Sequence, residues 1–219
     1  LIVCRTHIGF GMPNRQDTSK AHGEPPGDEE LNAAKRNLGW PEEPRFLVPD
    51  DVKAFFLKRS EEGGAKKKAW DNAFAQYEKS NPTEAREFSR RMSGKLPDKW
   101  ESALPEFPAD AKGMASRVAS GNTLNAIAGV LPELMGGSAD LTPSNNTWLK
   151  ESTAFQAENP MGRYLHFGVR EHGMGAVVNG MAYHKGLIPF GATFLVFTDY
   201  MRGAIRVGAF SHLQSIWVM

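Results

Sequence analysis

Cysteine is nearly missing from this chain of 219 residues, where Cys4 stands alone. One thiol excludes an intrachain disulfide framework and any CxxC metal knuckle, and it fits a reducing compartment. Charge of one sign is missing too: 26 Lys and Arg against 25 Asp and Glu leave a formal +1. That balance gives no overall electrostatic drive toward nucleic acid or an acidic membrane surface. The one basic run, Lys66 to Lys68, sits in a helix-like stretch and reads as a solvated face. No apolar run approaches the ~18 residues of a membrane span. None of the six histidines pairs with another ligand at a recognised metal-site spacing. GFGMPN holds only the first GxG of a GxGxxG fingerprint, which counts against a generic nucleotide-binding domain. The chain opens on Leu1 with no signal-peptide pattern, so the expectation is a piece of a longer protein whose targeting signal, if any, lies elsewhere.

What is present is a globular composition, 41% hydrophobic and 23% charged. LIVCRTHIGFG reads as a short buried strand entering a glycine loop, which would place Cys4 in the core. A helix is expected around Asp28 to Leu38, acidic in its first turn and stopped by Gly39. From Pro49 to about Pro108, charged helix-favouring segments punctuated by glycine and proline suggest a helical connector, with a boundary near Ala111. Beyond it, helix and strand patterns alternate: a helix at Arg117 to Val130, apolar LPELMGGSADL, a loop PSNNTWLKEST, strand RYLHFGV, helix GMGAVVNGMAYHKG, strand LIPFGATF, helix FTDYMRGAIRVGAF and apolar SIWVM. Such alternation implies an α/β fold, a layered and mostly parallel sheet with flanking helices, binding ligands beyond the carboxyl ends of its strands. The domain expectation is therefore 1–49, a connector 50–110, and an α/β unit 111–219.

Within HFGVREHGMG, Glu171 falls where a strand hands over to a helix. The bland explanation is a carboxylate favouring the positive end of that helix, or pairing with Arg170. Gly173, Gly175, Ala176 and Gly180 leave the helix with little bulk, which permits close approach of a neighbour or a ligand. Phe194, Phe197 and Tyr200 recur three apart at the next strand-to-helix junction. They form either core or one apolar wall of a cleft. Beside such a wall a desolvated carboxyl holds its proton more readily and can donate to a ring nitrogen.

GGSADLTPSN, FGVREHGM and PFGATFLVFTDYMRGAIR, in that order, closely resemble the transketolase family, and IVCRTHIGFGMPN, AHGEP and LGWPEEPRFLVP extend the likeness toward the N-terminus. The resemblance implies a thiamine-diphosphate-binding fold: the end of a diphosphate-binding domain, the connector, and part of a pyrimidine-binding domain. It implies transfer of a two-carbon ketol unit from a ketose phosphate to an aldose phosphate. Glu171 matches the glutamate that protonates the cofactor's aminopyrimidine nitrogen. Phe197 matches the ring packed on that pyrimidine, with Phe194 and Tyr200 completing its pocket. Asp140 and Leu141 match positions near the thiazolium ring, and a capping aspartate beside a core leucine stays open as an alternative. His22 matches a histidine reaching both diphosphate and substrate. Arg117 and Ser144 match residues holding the substrate phosphate.

The family's metal site, for Mg2+ or Ca2+, corresponds to no residues in this chain. The resemblance also implies a homodimer, residence in cytoplasm or plastid stroma, and no nucleic-acid or membrane partner; the chain alone is expected to be inactive. Where the family shows glycine, threonine and a further histidine before His22, this chain has Asp17, Thr18 and Ser19, and Pro26 stands where leucine is usual. Two other readings remain: ketol transfer of the dihydroxyacetone synthase type, and a truncated module that only associates with full-length subunits.

Overall fold

The computed structural model describes residues 1–109 and 112–219. The expected boundary near Ala111 falls on 110–111, outside the described residues. Two compact units are present, Leu1–Asn72 and Ala73–Met219.

In the first unit, residues 1–7 form no regular element and Cys4 is exposed. The expected buried strand is therefore corrected: no strand is described in this unit for it to pair with, and unpaired backbone stays in water. Helix α1, Asp28–Asn37, has the acidic first turn and closes before Gly39, whose φ of 65° needs no Cβ. Glu30 anchors it to the preceding loop by accepting from the Asn14 backbone N–H at 2.9 Å and its Nδ2 at 2.8 Å.

Helix α2, Asp50–Ser80, runs without a break through Gly63 and Gly64, where the sequence suggested punctuation. Alanine, lysine and glutamate around the pair favour helix strongly enough to carry two glycines that cost about 1 kcal/mol each. Pro82, lacking an N–H to bond backward, opens α3, Pro82–Met92.

In the second unit, α4 (Ser116–Ala128), β1 (Leu134–Ser138), α5 (Thr142–Asn145), β2 (Tyr164–His166), α6 (Glu171–His184), β3 (Ile188–Ala192), α7 (Thr198–Phe210) and β4 (Ile216–Val218) follow in order. The four strands are all parallel, in the order β2-β1-β3-β4. The short α5 replaces part of the expected loop because Pro143 presets helical φ in its first turn.

Both faces of the sheet are covered, as parallel strands require. On one, Leu124, Ala128, Leu131, Leu149 and Tyr164 pack with Leu134 and Phe190; on the other, Met174, Val178 and Met201 join Ala139. Gly136 and Gly137 let the central strand sit tightly between its neighbours: a Cβ on Gly137 would lie 1.7 Å from the Leu165 carbonyl oxygen. Below the sheet, Arg90 of α3 donates to the buried Glu133 at 2.9 Å and so ties the connector to the start of β1.

Candidate functional site

The chain leaves β1 and travels to β2 on one side, then returns to β3 on the other. Connections diverge at the carboxyl ends of β1 and β3, the switch point where α/β sheets open a crevice. A cavity of about 670 Å³ lies there. Asp140 and Leu141 line it from the loop after β1, Val169 to Gly173 from the turn into α6, and Phe197 and Tyr200 from the start of α7.

Each wall has a local cause. Asp140 turns the chain at φ 61°, a left-handed conformation that a short polar side chain tolerates, and the Leu141 N–H donates to Ser138 Oγ at 3.1 Å. Gly168, at φ 66°, and Arg170, whose Nη1 donates to the Phe167 carbonyl at 2.9 Å, swing the chain so that Glu171 is the first residue of α6. A 3-10 turn, Leu195–Phe197, links the end of β3 to α7 and brings Phe197 to the cavity.

Glu171 is 8% exposed, although it borders the cavity. Its one hydrogen bond among the described residues comes from Thr193 Oγ1 to Oε1 at 3.4 Å. A carboxyl so enclosed and so lightly bonded keeps open lone pairs for a ligand. Phe197 stands between Phe194 and Tyr200, with ring centroids at 6.0 Å and 6.1 Å. Phe194 packs on Phe197 but does not itself line the cavity. The close approach expected of the small residues occurs at Gly175, where a Cβ would lie 2.7 Å from Ala204 Cβ; Gly180 faces open space.

Arg117, in the first turn of α4, and Ser144, in α5, are not on the cavity wall. Their helices do meet: one turn beyond Arg117, a Cβ on Gly121 would lie 2.7 Å from the Asn146 carbonyl oxygen. His22 belongs to the first unit, exposed after the 3-10 turn Ser19–Ala21. Asp17, standing where the family has glycine, keeps a left-handed φ of 61° and accepts from His7 Nδ1 at 3.0 Å. Sequence reasoning did not single out His172, Val169 or Thr193. Their nearness to Glu171, or a place just past a strand end, was the available signal. Among the described residues, no group of three His, Cys, Asp or Glu could hold a metal ion.

The model described as "Transketolase, thiamine diphosphate binding domain" matches residues 1–97, and "Transketolase, pyrimidine binding domain" matches 112–219. The chain belongs to the transketolase family. Chloroplastic transketolase-1 of Arabidopsis thaliana is 50% identical over 220 residues, covering 100% of this chain and 30% of that protein. Transketolase from Leishmania mexicana superposes with a TM-score of 0.85 at 42% identity, over 97% of this chain and 31% of that one. A Pichia stipitis transketolase in complex with sedoheptulose 7-phosphate gives 0.84 at 39%, over 97% and 32%. The chain spans about a third of the length of the curated relatives it matches. No helix among the described residues is long and apolar enough to cross a membrane.

Proposed function

We propose that this chain carries the pyrimidine side of a thiamine-diphosphate site, in a protein that transfers a two-carbon ketol unit from a ketose phosphate to an aldose phosphate. The observation that carries this reading is Glu171, a buried carboxyl with a single long hydrogen bond, bordering a cavity walled by Phe197 and Tyr200. The residues fit the group. A heteroaromatic ring stacked on Phe197 is apolar on its faces and polar at its edge, and Glu171 is the polar group that such an edge needs.

When bound, the cofactor supplies the carbon nucleophile and stabilises the charge that develops on the transferred fragment. Glu171 shares a proton with the pyrimidine ring nitrogen through its carboxyl. Phe197 fixes the ring plane, with Phe194 packed on it, while Tyr200 and Val169 add apolar surface to the cavity's rim. Asp140 and Leu141, on the cavity wall, would hold the thiazolium part of the group. His22, Arg117 and Ser144 are assigned to the diphosphate and to the sugar phosphate, where an exposed guanidinium and a hydroxyl are suitable donors. Support for that substrate class is the sugar phosphate held by the Pichia stipitis relative. Mg2+ or Ca2+ for the diphosphate would be bound by residues outside this chain.

A homodimer is part of the proposal. Tyr200, Val207 and Phe210 lie along one stripe of α7 at 70%, 58% and 82% exposure, an apolar face suited to a second subunit. The compartment is cytoplasm or plastid stroma, the second because the Arabidopsis relative is described as chloroplastic.

The test is Glu171→Gln in the full-length protein, with cofactor-dependent ketol transfer measured. Loss of the proton donor is expected to lower turnover by about 10²-fold or more. Turnover near wild type would refute the assignment.

A further inference from the structure

We infer that Thr193 is the positioning residue for the Glu171 carboxyl, selecting which of its oxygens faces the ligand. The inference rests on reading the cavity as a pyrimidine site.

Glu171 heads a helix with three side-chain torsions of its own, and among the described residues no other group hydrogen-bonds its carboxyl. Thr193 is the opposite case. It is fully buried, its N–H donates to the Val218 carbonyl at 3.1 Å, and its own carbonyl accepts from Asn145 Nδ2 at 3.2 Å. Asn145 is held in turn, with Ser138 Oγ 3.1 Å from its Oδ1. The end of β3 is thus pinned by β4 on one side and by α5 on the other, and the Thr193 hydroxyl is presented from a fixed backbone.

That hydroxyl donates to Glu171 Oε1. In a neutral carboxyl the oxygen that accepts is the carbonyl oxygen, and the other carries the hydrogen. With Oε1 occupied, Oε2 is the oxygen left to exchange a proton with a ring nitrogen. At 3.4 Å the bond is long, so it biases the carboxyl rather than locking it. A net hydrogen bond of ordinary strength corresponds to about threefold to tenfold in rate.

Thr193→Val, Thr193→Ser, Glu171→Gln, Glu171→Ala and the Thr193→Val/Glu171→Ala double variant are compared in full-length protein. The readouts are turnover at cofactor saturation and, without turnover, the cofactor dissociation constant from fluorescence quenching. Thr193→Val should weaken that binding about threefold to tenfold and Thr193→Ser leave it within about twofold. Thr193→Val is expected to lower turnover about threefold to tenfold, and Thr193→Ser, which keeps the hydroxyl, to stay within about twofold of wild type. In the Glu171→Ala background Thr193→Val should add nothing to either readout, since no acceptor remains to orient; a purely structural role would cost the same factor in both backgrounds. Should the valine variant fail to fold, Thr193→Ala carries the same expectation. If Glu171→Gln collapses turnover while Thr193→Val leaves it unchanged, or costs equally in both backgrounds, the positioning role is overturned and the pyrimidine-site reading stands. If Glu171→Gln itself is active, that reading falls first.

Discussion

Alanine at two glycines of α6 should act with opposite sign. Gly180 faces open space, so a methyl there meets nothing within 4 Å. A glycine in a helix interior costs about 1 kcal/mol relative to alanine, and Gly180→Ala should recover most of it. At Gly175 the same methyl would sit 2.7 Å from Ala204 Cβ and 3.3 Å from Met201 Cε. The methionine terminus can move aside, but Ala204 Cβ is fixed to the α7 backbone.

Saturated carbons settle at about 3.5–4.0 Å, so α6 and α7 would have to part by roughly 1 Å. Such overpacking costs about 1–3 kcal/mol. After the helix-propensity gain, a net loss of about 1–2 kcal/mol remains, and the two variants should differ by about 2–3 kcal/mol. For a chain of this size that difference separates melting midpoints by roughly 5 °C or more. Thermal and urea unfolding of the 219-residue chain, followed by circular dichroism, measures it. A Gly175→Ala protein as stable as wild type, or two variants shifting the same way, would show that the helices do not meet as described. The contact matters for the site because Gly175 lies one turn beyond Glu171, while the facing α7 carries Tyr200.

Two further outcomes follow from the second unit. Arg90, and after it Arg91, hydrogen-bond Glu87 and lower its carboxyl from the ordinary 4.5 to about 2. A depressed folded-state value contributes stability that is complete above the unfolded value and is lost as pH falls from about 4.5 toward 2; with 37% of the side chain exposed, screening keeps the effect small. Glu87→Gln should flatten the stability curve in that window, and an unaltered slope in acid unfolding would count against the pair. Gly137→Ala, with its Cβ 1.7 Å from a neighbouring strand's carbonyl, leaves no room for relaxation and should cost several kcal/mol, enough to unfold a typical domain. Native-like near-ultraviolet dichroism in that variant would contradict the strand spacing.

The α/β unit was legible because its signals are local. Strands such as LIPFGATF and helices such as GMGAVVNGMAYHKG differ in periodicity, and alternation of the two leaves a parallel sheet as the economical arrangement. Glu171 could be found for the same reason, since it sits at a strand-to-helix handover. LIVC misled because an apolar run reports its own preference for burial and says nothing of whether a neighbouring strand exists to receive it. The Gly63–Gly64 pair misled in the opposite direction, as a breaker outvoted by its surroundings. Thr193 could not be read from pattern at all: its partner is 22 residues away, and a threonine ending a strand is ordinary until the fold brings the carboxyl to it.

The left-handed backbone at residue 140 constrains what evolution can substitute there, independently of any ligand. Glycine, asparagine and aspartate fit that torsion at little cost, whereas a branched side chain does not. An acidic residue retained at this corner across a lineage would thus testify to chain geometry as much as to chemistry, and only exchange for glycine, which keeps the bend and deletes the charge, separates those two selective pressures.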